Sequence, residues 1–187
     1  RQLGMRSLML NHLQAYFPTI WVDFIPAVVP GAEALHRSPV DFGWDHLMDK
    51  TRDFPGKSIL LEEQANPKTK CVTLEWNSED CINIFASLFD PDNEPFEQMP
   101  LPVNTSDYSA ACPQFIPVFN QKHQMIGLAS NRGYSCQFKK MLALADLETE
   151  YAKEGTEVLV LYGSEGQRQT MIRATVAKTP YKSDNRK

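Results

Sequence analysis

The feature that most constrains this chain is the succession of short, turn-bounded segments after Pro113. Strand-like stretches run Phe115–Phe119, Gln124–Ser130, Phe138–Leu147, Thr156–Tyr162 and Thr170–Ala177. Between them lie Asn120-Gln121-Lys122-His123, Asn131-Arg132-Gly133, Glu154-Gly155 and Gly163-Ser164-Glu165-Gly166, residues that accept tight turns. A sixth strand precedes them. Lys70 to Trp76 alternates, with Val72, Leu74 and Trp76 on one face and Cys71, Thr73 and Glu75 on the other. Six short strands joined this way favour a closed antiparallel barrel or sandwich over a parallel sheet. The fold class is therefore α+β and mainly β, with the barrel or sandwich in the C-terminal part.

The first third has a different texture. Leu3, Met5, Leu8, Met9, Leu10 and Leu13 predict a short helix that ends before Pro18. Residues 17–30 then hold three prolines among Val22, Phe24, Ile25, Val28 and Val29. Such a segment is too apolar to hang in water and too rich in proline for a central strand, so it is expected to lie against a larger surface. Asp53-Phe54-Pro55-Gly56-Lys57 is turn chemistry, followed by a helical stretch from Ser58 to Gln64 that Asn66-Pro67 closes. The boundary placed here divides the chain into residues 1–55 and a barrel domain of residues 56–187. Asn77 or Ser78 is expected to cap a helix carrying Ile82, Phe85, Ala86 and Phe89. Five prolines between Pro91 and Pro113 predict a long loop, an insertion near residues 90–113. The chain opens on Arg1 and leads at once into an apolar helix, which reads as a cut inside a larger protein.

Several function classes are disfavoured. A formal charge of -4 with scattered Lys and Arg argues against nucleic-acid binding, and no apolar run approaches the roughly 20 residues of a membrane helix. Cys71, Cys81, Cys112 and Cys136 show no CxxC spacing, which favours reduced thiols and, with no secretory segment, the cytoplasm. The sequon Asn104-Thr105-Ser106 carries no weight without secretion. His12, His36, His46 and His123 never pair at metal-ligand spacing, so no metal site is expected. No GxSxG, GxGxxG or GxxxxGK[ST] is present, and nothing nominates a covalent nucleophile. Two residues carry functional weight. Arg6 is a lone cation in an apolar helix; if buried it needs an internal carboxylate or an anionic or heteroaromatic ligand. Trp44, after Phe42-Gly43, is either a core residue or one wall of a flat-ring pocket.

Three separated blocks together resemble the C-terminal half of the glycine-cleavage T-protein (aminomethyltransferase) family. The first is Leu3-Gly4-Met5-Arg6-Ser7-Leu8. The second is Ser38-Pro39-Val40-Asp41-Phe42-Gly43-Trp44, followed by Asp53-Phe54-Pro55-Gly56-Lys57 and Leu60. The third runs from Ile126-Gly127 through Ser130, Gly133-Tyr134-Ser135 and Lys139-Lys140 to Tyr151-Ala152 and Gly155-Thr156-Glu157-Val158. Val72 to Asn77 and the ending Ile172-Arg173-Ala174-Thr175-Val176 with Pro180-Tyr181 are closer to the branch of tetrahydrofolate-dependent O-demethylases of methoxylated aromatic acids.

The resemblance implies a six-stranded barrel preceded by the end of a folate-binding domain. It implies tetrahydrofolate as cofactor, a small-molecule methyl donor, and N-terminal domains of the same protein as the partner. Arg6 then matches the family Arg that contacts folate. Trp44 approximates a family Trp near the pteridine, one residue out of register. The family's acid/base carboxylate lies upstream, so no catalytic residue is expected here. Two alternatives stand beside demethylation: an aminomethyltransferase of the glycine cleavage system, and a non-catalytic barrel that serves binding or interaction.

Overall fold

A computed structural model describes residues 2–99 and 115–183. Part of the proline-rich loop, the Asn104 sequon, Cys112 and the basic tail residues Arg186 and Lys187 lie outside the described residues.

The first helix, α1, spans Met5–Ala15. Its Met9, Leu13 and Gln14 are buried, one stripe at helical spacing. The helix ends where Tyr16 turns left-handed and Phe17 N–H donates to the His12 carbonyl. Two short 3₁₀ turns, Glu33–Leu35 and Asp45–Leu47, interrupt the irregular segment that follows. Helix α2, Lys57–Ala65, starts from Gly56 in the left-handed conformation. It leads into β1, Thr69–Trp76. Asn77 then caps α3, Ser78–Ala86, accepting from the backbone N–H groups of Glu79 and Asp80.

Strands β2 (Ile116–Phe119), β3 (Met125–Ser135), β4 (Lys140–Glu148), β5 (Glu157–Tyr162) and β6 (Thr170–Ala177) follow. They close a barrel in the order β1-β4-β3-β2-β5-β6, every pair antiparallel. Barrel and sandwich both fitted the pattern; closure decides between them and removes every sheet edge.

The interior is filled by alternate residues, among them Val72, Leu74, Trp76, Val118, Val158, Val160 and Ile172. Ile84 of α3 and Met99 join this cluster from outside the sheet. Each such side chain contributes roughly 1.5–3 kcal/mol by leaving water.

Strand β4 explains its own sequence. Met141, Ala143, Ala145 and Leu147 belong to the interior cluster, while Leu142 and Leu144 pack outside with Leu13, Phe42 and Cys71. Both faces are covered, hence the nearly continuous apolar run. The same covering buries Cys71 and Thr73 on β1, a face that alternation alone would leave to solvent.

One turn was misplaced. Asn131-Arg132-Gly133 is not a connection but part of β3. The register passes from Ala129↔Ala145 to Arg132↔Ala143, so β3 carries one extra residue there, a bulge. The reversal comes at residues 136–139, where Ser135 Oγ accepts from the N–H of Phe138. Gly127 meets a tighter demand: a Cβ there would stand 2.0 Å from the Asp146 carbonyl oxygen.

Residues before α2 are fastened to the barrel by polar bonds. Gln14 Nε2 donates to Ser135 Oγ at 2.7 Å, and Cys71 N–H donates to the Asp41 carbonyl at 2.8 Å. Lys182 N–H donates to the Gln14 carbonyl, bringing the end of the described chain to α1. No helix among the described residues is long and apolar enough to cross a membrane.

Candidate functional site

Two places follow from the residues singled out above, and a third emerges only in three dimensions. Arg6 sits on the first turn of α1, three residues before Met9 and seven before Leu13, so it continues the helix's barrel-facing stripe. The stripe overruns its support: Met9 and Leu13 are buried, whereas Arg6 is exposed. Among the described residues it has no ion-pair partner. The internal-carboxylate alternative therefore has no counterpart here, and the guanidinium faces outward.

Trp44 is half-buried. Its ring lies 4.9 Å from that of Phe42, tilted by 40°. It also forms one wall of an apolar cleft of about 310 Å³, with Pro39, Val40, Leu47, Met48, Phe54 and Leu60. Both readings of Trp44 thus describe part of it, since one side packs on the core and the other faces the cleft. Asp45 at the rim is engaged by Gln64, whose Oε1 accepts from Lys50 Nζ at 2.7 Å. Arg6 does not line this cleft; the structure keeps the two residues apart.

The third place is a buried polar layer between residues 16–41 and the barrel. Asp23 is 6% exposed, and its Oδ1 accepts from Ser130 Oγ at 2.6 Å while its Oδ2 accepts from Thr19 N–H at 2.7 Å. The β3 bulge turns Ser130 outward to meet it. Burial pushes the Asp23 carboxyl up to about 6, with Ser130, Thr19 and the Asn131 backbone pulling the other way.

Next to it, Arg37 Nε lies 2.8 Å from Asp146 Oδ2, both side chains nearly buried. The contact is an ion pair without hydrogen-bond alignment at Nε. Burial pushes Asp146 up to about 6, the Arg37 charge lowering it and the Asp41 charge raising it. Tyr16 hydroxyl donates to the carbonyls of Phe42 and Cys71, each at 3.1 Å. The Cys71 thiol is pushed far up by burial and by Asp23, so it holds its proton and is no nucleophile.

Sequence reasoning missed this layer, although a signal was present. Asp23 is the one acid in the apolar segment 17–30, and Asp146 is the one charge in the run Met141–Leu147. The layer ties residues 16–41 to the barrel: each Asp23 oxygen accepts a hydrogen bond, from Ser130 on β3 and from Thr19 within its own turn.

No family model matches the chain. It is similar to a sesamin methylene transferase from Sinomonas sp. (strain No.22), 31% identical over an alignment of 211 residues that covers 95% of this chain and 47% of that protein. It is also similar to a syringate O-demethylase from Sphingobium sp. (strain NBRC 103272 / SYK-6), 32% identical over 160 residues, 80% of this chain and 33% of that protein. The chain thus spans between a third and a half of the length of these relatives. Among solved structures, the glycine cleavage system aminomethyltransferase T from Bartonella henselae superposes with a TM-score of 0.57 at 18% identity, over 90% of this chain and 36% of that one. At that identity the likeness speaks for the fold.

Proposed function

Because the chain belongs to the glycine-cleavage T-protein family, on the side of its O-demethylases, we propose that it is one wall of a tetrahydrofolate site in a one-carbon transferase. In this reading residues 1–55 end a folate-binding domain and residues 56–187 form the barrel domain. The one-carbon unit leaves a methoxylated or methylenedioxy aromatic donor and passes to tetrahydrofolate. The donor class is suggested by the activities of the two similar proteins, a methylene transferase and an O-demethylase.

The observation that carries the reading is Arg6: a cation fixed on a helix that is itself clamped to the barrel, exposed, and free of any ion-pair partner among the described residues. Folate carries carboxylates and a polar heteroaromatic ring, and a planar guanidinium can pair with the first or stack on the second. Trp44 and its apolar cleft supply a second surface suited to a flat ring. The chain itself contributes binding and orientation. Proton transfer is assigned in this reading to the family's acid/base carboxylate, which the resemblance places upstream of Arg1. The remaining domains of the protein are then its partners, and the cytoplasm its place.

Calorimetric titration of tetrahydrofolate into the full-length protein tests this. Loss of a charged hydrogen bond is worth roughly 1.5–3 kcal/mol, so Arg6→Ala is expected to weaken binding about tenfold or more. Tm should stay nearly unchanged, because the side chain is exposed. An unchanged affinity with a large fall in Tm would instead assign Arg6 to the scaffold.

A further inference from the structure

Among the described residues, four non-glycine residues have left-handed backbones: Tyr16, Trp21, His123 and Lys139. Three are explained locally. Tyr16 ends α1, and its hydroxyl is anchored on Phe42 and Cys71. His123 and Lys139 are exposed residues in the tight turns before β3 and β4. Trp21 has no such account. Its φ is +68°, a conformation that bulky side chains rarely adopt. Its half-exposed ring belongs to none of the packed clusters and makes no ring contact among the described residues.

The strain is held from all sides. Trp21 N–H donates to the Phe24 carbonyl at 2.9 Å, and the N–H groups of Val22 and Asp23 both donate to the Thr19 carbonyl. Asp23 closes the turn through Thr19 N–H and ties it to β3 through Ser130 Oγ. A rigid turn therefore presents an indole ring that the core does not use, flanked by Phe17 at 56% and Ile20 at 48% exposure. Strain retained in this way clusters at active sites and ligand clamps. Position agrees. Val22, the next residue, packs with Met9 of α1, so the turn that carries Trp21 is docked on the helix that carries Arg6.

We infer that Trp21 is a ligand-contacting residue whose ring stacks on a flat aromatic or heteroaromatic ring bound beside Arg6. This rests on the folate-transfer reading above. Two ligands of that reading share the chemistry, the pterin of tetrahydrofolate and the ring of the aromatic donor.

The test uses the full-length protein with Trp21→Phe and Trp21→Gly, tetrahydrofolate and syringate as separate probes, and Tm measured alongside. Glycine relaxes the backbone, so Trp21→Gly should melt at or above wild type. Its affinity for one probe should fall about three- to tenfold, the scale of a lost aromatic pair, with Trp21→Phe in between. The probe affected identifies the ring. Unchanged affinity for both probes in Trp21→Gly would overturn the inference, as would a marked fall in its Tm, which would make the ring a packing element. Wild-type protein that binds neither probe would remove the folate reading and this inference with it. Wild type that binds while Trp21→Gly binds equally well would remove the inference alone.

Discussion

Replacing Asp23 by Asn should change the pH dependence of stability in a defined direction. Asp23 has a carboxyl raised from 3.8 to about 6 in the folded chain. A carboxyl raised by folding binds more protons folded than unfolded between those values. Stability from this group is therefore greatest at low pH and is lost as pH rises through about 6. With the two pKa values above, linkage gives on the order of 1 kcal/mol more stability at pH 5 than at pH 7 from Asp23 alone. For a chain of this size that is about 4 °C in Tm.

His12 works the other way. Burial lowers its pKa, so protonation on acidification costs stability, and the absolute wild-type slope is a sum. The difference between wild type and Asp23→Asn isolates the carboxyl. Denaturant unfolding at pH 5, 6 and 7 should show wild type gaining on the order of 1 kcal/mol on the variant as pH falls from 7 to 5. Parallel pH profiles would refute the assignment of a buried, titrating carboxyl at this position.

Other changes probe the barrel and its clamp. Gly127→Ala drives a methyl into the Asp146 carbonyl across the β3–β4 pair, so it should cost about 3 kcal/mol or leave the protein insoluble, read by Tm and yield. Arg37→Met leaves Asp146 buried without its cation and should cost roughly 3–5 kcal/mol in denaturant unfolding at pH 7, less at pH 5 where the carboxyl protonates. Tyr162→Phe removes a buried hydroxyl that has no hydrogen-bond partner among the described residues, and should leave Tm unchanged or raise it; a fall of several degrees would show that the hydroxyl is satisfied in solution.

The barrel was legible because β1 alternates with period two, the strands are short, and the turns use residues with few other roles, as at Gly163-Ser164-Glu165-Gly166 between β5 and β6. The Asn131-Arg132-Gly133 turn failed for a physical reason. Turn-forming residues also suit a bulge, and only the docked Asp23 tells the two apart. The exposure of Arg6 was hidden because helical periodicity places it on the buried stripe, and periodicity does not say where the supporting surface stops. The apolar segment 17–30 drew attention in the sequence, but nothing there set Trp21 apart within it. Its distinction is a backbone angle fixed by bonds to Thr19, Phe24 and Ser130, none of which composition reveals.

The most direct measurement of the central claim follows one carbon. The full-length gene product is incubated with tetrahydrofolate and syringate carrying a ¹³C-labelled methoxyl group, and the products are read by ¹³C NMR. The proposed function predicts that the label leaves the ring oxygen and appears as 5-methyltetrahydrofolate, more slowly in Arg6→Ala at limiting folate. Label that remains on the arene with every methoxylated or methylenedioxy donor tried, in protein that is folded and binds tetrahydrofolate, would contradict it.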